Sequence, residues 1–214
     1  MPNSGLRKHF INFISKSNKW DDHEDKEVYI IPAFEMAANH ELPKTKGIIH
    51  NFLQEFLQNF SANIFAETFS QQILSKLDLE DLSDLYAKKQ LRPFHTDTCE
   101  NCHKPEQFEK WSKLPAGDGD SIEVGFEADW SEHWEPFYFA RRNIPMYDER
   151  FKEHLFDRIQ QICELYIAGF KFQVLNNGYL VHKGLKTVDD NHVHYTSDKF
   201  VWDLFNYHFK VGIN

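Results

Sequence analysis

Apolar residues recur along this chain at two spacings, and the alternation of those spacings sets out the elements to expect. Leu6, Phe10, Phe13 and Ile14 fall three and four apart, which predicts an amphipathic helix over residues 5–16. Glu27 to Phe34 is rich in β-formers and predicts a buried strand stopped by Pro32. Ile49, Phe52, Leu53, Phe56, Leu57, Phe60, Ile64 and Phe65 return to helical spacing, over a face of Gln, Asn and Ser. Glu55, Glu67 and the amides interrupt that run, so it does not read as a membrane span. Phe151, Leu155, Ile159, Ile162 and Tyr166 predict a helix within 150–170, closed by Gly169. Two short strands, Phe170–Leu175 and Tyr179–His182, are expected around an Asn176-Asn177-Gly178 turn. Ser197 and Asp198 open a last helix bearing Val201, Phe205 and Phe209. Strands alternating with helices imply an α/β fold, with a sheet covered on both faces.

Composition narrows the picture. With 214 residues, 41% hydrophobic and 15% aromatic, the chain has enough material for a sizeable core. A net charge of −9 without any Lys/Arg-rich run argues against a nucleic-acid surface. Neither a secretory signal nor a spanning helix is legible in the residues.

Several clusters are able to carry chemistry. Asp148 and Glu149 precede the expected helix, and Glu135 lies shortly before them. A carboxylate at a loop-to-helix junction suits a general base or a clamp on an acceptor hydroxyl; it equally suits a helix cap. Cys99-x-x-Cys102-His103 matches a c-type haem attachment pattern and, with His95, also suggests zinc. Its polar, loop-like surroundings argue against haem. Cys163 lies on a helical apolar stripe and reads as a buried thiol. Asn59-Phe60-Ser61 is an N-glycosylation sequon. Trp130, Trp134 and Phe137 suit either stacking on sugar faces or a core.

Ordered islands connect these clusters: V-Y-I-I-P-A-F-E (Val28–Glu35), L-R-P-F (Leu91–Phe94), C-E-N-C, W-S-K-L-P, W-E-P-F-Y (Trp134–Tyr138), P-M-Y-D-E-R-F (Pro145–Phe151), E-L-Y-I-A-G-F (Glu164–Phe170) and V-L-N-N-G-Y-L-V-H-K-G (Val174–Gly184). In that order the islands resemble glycosyltransferase family 49, and most closely its glucuronyltransferase-type members. The resemblance covers most of the chain except an insert at 47–78, read as an added surface helix or an unspliced segment.

The resemblance implies the C-terminal half of a GT-A-like nucleotide-sugar transferase domain, a mixed sheet flanked by helices. It also implies a manganese ion and a UDP-sugar donor, with His182 as a metal ligand beside an Asp-x-Asp pair. Lys183, Gly184 and Lys186 would then lie by the diphosphate. Asp148, with Glu135 and Glu149 behind it, would serve as catalytic carboxylate. Arg150 would face the carboxylate of a glucuronate donor, and Trp134 would touch substrate. Cys99 and Cys102 would form a luminal disulfide, in a loop away from the sugar site.

The activity implied is inverting transfer of glucuronate from UDP-glucuronate to a glycan acceptor of O-mannosyl type, in the Golgi lumen. Family relatives carry an N-terminal membrane anchor and the Asp-x-Asp motif ahead of the first island. Met1-Pro2 resembles an internal pair just after that motif, so this chain is expected to be a single partial domain, inactive by itself. Three alternatives stay open: an N-acetylglucosaminyltransferase, a shortened noncatalytic relative that binds glycan or a partner Golgi glycosyltransferase, and a metal protein built on C-E-N-C-H.

Overall fold

A computed structural model describes residues 13, 26–37, 61–62, 72–75, 85–86, 88–97, 99–115, 123–141, 144–151, 156–176, 178–185 and 203. The expected helix over 5–16 (Phe13 apart), the expected last helix (Asp203 apart), Asn59 and Lys186 lie outside them.

Two segments form the frame. In the first, Glu27–Ile31 (β1) runs into Ala33–Met36 (β2), with Pro32 breaking the ladder between them. In the second, Lys171–Leu175 (β8) is followed by Gly178–Lys183 (β9). β1 pairs parallel with β8, and β2 pairs parallel with β9. The two segments therefore pass together from one sheet into the next.

Short strands complete both sheets: Ser61–Ala62 (β3), Gln72–Ser75 (β4), Leu91–Pro93 (β5), Val124–Ala128 (β6) and Phe137–Ala140 (β7). The five-stranded sheet has the order β3-β7-β1-β8-β6, and the four-stranded sheet β4-β9-β2-β5. Pro105–Ser112 (α1) and Asp157–Ile167 (α2) are helices, and Phe13, Leu85, Tyr86 and Asp203 are also helical. Among the described residues the result is a mixed α/β architecture with two mixed sheets and few helices.

Two sheets stand where one was expected, and the Asn176 turn is the reason. It is not a hairpin. Both edges of β8 are already taken, by β1 and by β6, so the chain after the turn pairs with β2 instead. Asn176 secures the crossing, since its backbone N–H bonds Glu123 O at 2.7 Å and its side chain bonds Pro115 O at 3.2 Å. Leu180 N–H bonds Pro32 O at 2.8 Å and joins the two sheets where both segments break.

The core fills the space around this junction with Val28, Ile30, Phe34, Trp111, Phe172 and Tyr179, all buried. Trp111 also donates its indole N–H to Leu175 O at 2.8 Å, which satisfies a polar atom it would otherwise bury bare.

α2 keeps its predicted stripe at Ile159, Ile162 and Cys163, but Tyr166 is exposed and stacks on Trp130. The helix ends as the sequence implies. Gly169 takes φ +82°, its N–H bonds Tyr166 O, and Phe170 N–H bonds Leu165 O. That double bond pattern is a Schellman stop, which favours glycine because other side chains resist this φ.

The 47–78 segment also departs from expectation. Its described parts are strands at the outer edges of the two sheets, β3 against β7 and β4 against β9. Helical spacing of apolar residues did not decide these short stretches; the open ladder edges did.

Candidate functional site

Register places three side chains in a row across the four-stranded sheet. Glu35 on β2 lies opposite both His182 on β9 and Arg92 on β5, so all three share one face. Glu35 is fully buried, and a buried carboxylate requires a partner. Arg92 supplies it through Nε, 2.5 Å from Oε1, and reaches Asp97 as well.

His182 is oriented by its own strand end. Its Nδ1 lies 2.8 Å from Gly184 O. A carbonyl oxygen only accepts, so Nδ1 carries a proton, as it does in an imidazole that ligates metal through its other nitrogen. Gly184 turns back with φ +102°, and its N–H bonds Met36 O at 2.7 Å. Glycine tolerates that φ where other residues are strained. Lys183 continues the ladder opposite Met36; its side chain lies outside the described atoms.

Phe94, the residue after β5, connects His182 to the rest of the site. Its ring lies 5.7 Å from His182, 5.1 Å from His103, 5.3 Å from Phe137 and 4.5 Å, stacked, from His95. Burial, together with Arg158 and His95, pulls the His103 pKa well below its ordinary value. His103 is therefore a neutral ring in the fold. Arg158 in turn bonds Glu135, Nη2 to Oε2 at 2.8 Å. Burial pushes the Glu135 carboxyl up, against the pull of Arg158.

Cys99 and Cys102 are joined in a disulfide. The loop is not remote as expected: Glu135 N–H bonds Cys102 O at 2.9 Å. His95 and Lys104 bracket the bridge in left-handed backbone conformations, φ 61° and 45°. Such strain persists where the surroundings over-determine it.

The remaining candidates are dispersed. Asp148 lies in the loop ahead of α2, which begins at Asp157. Its carboxylate is gripped by Arg150, whose Nε lies 2.8 and 2.9 Å from the two oxygens. That grip holds the Asp148 pKa below its ordinary value. Arg150 thus faces Asp148 in this structure. Backbone N–H of Asp148 leans on Gln160 Oε1 of α2 at 3.4 Å. Glu149 is exposed. Trp134, expected to touch substrate, is buried at 1% exposure against Phe172, with Lys104 Nζ over its ring.

Contacts thus join His182, His103 and Glu135 through Phe94 and Arg158, whereas Asp148 is tied to Arg150 and α2. Among the described residues no three His, Cys, Asp or Glu side chains form a group able to hold a metal. Nor is any helix among them long and apolar enough to cross a membrane. Sequence reasoning missed Glu35 and Arg92 although both lie in the islands. Their signal was a charge inside an apolar strand, which implies a partner on the next strand.

The family model described as "Glycosyl-transferase for dystroglycan" matches residues 1–214. The chain belongs to that family of glycosyltransferases. It is 32% identical over 186 residues to Beta-1,4-glucuronyltransferase 1 of Mus musculus, covering 87% of this chain and 35% of that protein. Against the Danio rerio protein of the same name it is 30% identical over 192 residues, covering 90% and 36%. A shorter match, 30% over 80 residues, covers 37% of this chain and 10% of Xylosyl- and glucuronyltransferase LARGE1 of Homo sapiens. The chain therefore spans about a third of the length of the glucuronyltransferase relatives it matches.

Proposed function

We propose that this chain forms part of a GT-A-type glycosyltransferase that moves glucuronate from UDP-glucuronate to a glycan hydroxyl with inversion, in the Golgi lumen. The observation that carries this reading is the similarity, over nearly all of the chain, to proteins named Beta-1,4-glucuronyltransferase 1. The glycan class proposed is the O-mannosyl type. A partner Golgi glycosyltransferase is a further expectation.

His182 fits one position in a manganese shell, because Gly184 O holds its Nδ1, the arrangement of an imidazole that binds metal through Nε2. Glu35 does not fit one, since Arg92 already holds it. The carboxylates that complete the shell are proposed to be an Asp-x-Asp pair outside the described residues. Manganese, when bound, neutralises charge on a leaving diphosphate. The chain's own part is to aim the imidazole, to shield the site with Phe94 and Phe137, and to offer a carboxylate to the acceptor proton. Glu135 is the stronger proton acceptor by environment, because burial raises its pKa while Arg150 lowers that of Asp148.

The test is a donor comparison on the protein as its gene encodes it. UDP-glucuronate and UDP-N-acetylglucosamine are supplied with manganese and a neutral glycan acceptor, and products are read by mass spectrometry. Glucuronylated product alone is expected. N-acetylglucosamine transfer would move the assignment to that second activity, and product from neither donor would favour a noncatalytic relative.

A further inference from the structure

Beside the outer strand β6 lies a hollow of about 510 Å³ that the reading above does not use. It opens between the disulfide loop, α1 and the loop that follows β6. Phe126 and Trp130 contribute aromatic surface, and Glu127, Asp129 and Glu132 contribute carboxylates. All three acidic residues are exposed. Trp130 is backed by Tyr166, stacked at 4.9 Å, so the indole is held in place.

Two positive groups, Lys104 and Lys110, line the hollow as well. Lys104 donates to Asp129 O and sits over Trp134, and Lys110 Nζ lies 4.1 Å over Phe126. Glu127 shares its carboxylate with Gln173 at 3.2 Å and Lys171 at 4.0 Å. With three carboxylates beside two ammonium groups, the opening is slightly negative and offers acceptors as well as donors.

We propose that this hollow binds a neutral oligosaccharide, holding the acceptor glycan away from the nucleotide. The proposal rests on the transferase reading in that it gives the acceptor a place to dock. Four features support it. The volume lies in the range of small-ligand sites, about 300–1,000 Å³. Sugars combine an apolar C–H face, which an indole or phenyl ring accepts, with hydroxyl donors that carboxylates accept by charge-assisted bonds. The carboxylates disfavour a diphosphate or a uronate in the same place. β6 is also an edge strand, so the hollow is reached without opening the sheet.

The experiment is saturation-transfer NMR on the 214-residue chain without nucleotide or metal. Lactose, xylobiose and a glucuronate-terminated disaccharide serve as probes. At least one neutral disaccharide is expected to bind saturably at millimolar concentration, and the charged one more weakly. Glu132→Lys, at an exposed position, should weaken the neutral ligand about tenfold, the scale of one lost charge-assisted hydrogen bond. Trp130→Ala should weaken it at least as much, and His182→Ala should leave it unchanged.

Absence of binding by either neutral probe, or binding indifferent to Glu132→Lys, would overturn the proposal. Equal loss in His182→Ala would place the glycan at the other site and overturn it too. Either result leaves the donor comparison standing. If binding holds while neither donor is used, the transferase reading falls alone.

Discussion

Arg158 is the most instructive residue to remove, because it lowers the pKa of two titrating groups, Glu135 and His103. Consider Arg158→Met, which deletes the guanidinium that lies 5.4 Å over Phe137 and retains an unbranched apolar side chain. Glu135 and Arg158 expose only 11% and 17% of their side chains, so solvent screens their pairing little. Breaking such a pair leaves a buried carboxylate alone and costs about 3 kcal/mol where that carboxylate stays ionised.

The sign with pH follows from the shift. The folded pKa of Glu135 already lies above its ordinary 4.5, so this group stabilises the fold at low pH and loses that contribution as pH rises through the folded value. Without Arg158 the folded value climbs further, and the deficit of the variant widens toward alkaline pH. His103 acts in the same sense on the difference. Its folded pKa is depressed, partly by Arg158, so wild type loses stability as pH falls below the ordinary 6.5. Removing Arg158 relieves part of that loss. Urea unfolding of both proteins should show a deficit of about 3 kcal/mol near pH 8, shrinking to about 1 kcal/mol near pH 5. A deficit independent of pH would refute the buried pair.

Three further outcomes are expected. Replacing both Cys99 and Cys102 by Ser should lower stability by about 2 kcal/mol, the scale of a short closed loop, as measured by urea unfolding. Native alkylation followed by mass spectrometry should label neither of them, and should reach Cys163 only after denaturation, since it is buried. Gly169→Ala should cost about 1 kcal/mol by urea unfolding, because φ +82° strains an L-residue.

Much of the frame was legible because its signals are local. Pro32 had to interrupt a ladder, Gly169 had to end a helix, and Ile159, Ile162 and Cys163 had to face inward. The destination of β9 was not legible. Asn176-Asn177-Gly178 reads as a hairpin turn, and only the occupation of both β8 edges, by strands distant in sequence, sends the chain to β2. At the site, His182 was found from its motif, yet its orientation by Gly184 O is a property of the folded turn. Glu35 and Arg92 went unnoticed because cross-strand register is invisible until the sheet is known. Asp148 drew attention by its place in the sequence, whereas its grip by Arg150 two residues on is visible only in the fold.

The most direct test of the account is a manganese titration of glucuronate transfer by the protein as its gene encodes it, with and without His182→Ala. If Gly184 aims that imidazole at a metal, the variant should lose at least about a hundredfold in rate at limiting manganese, beyond what loss of a supporting contact typically costs. Its unfolding curve should match wild type. Transfer by His182→Ala at the wild-type rate and the same manganese requirement would contradict the account.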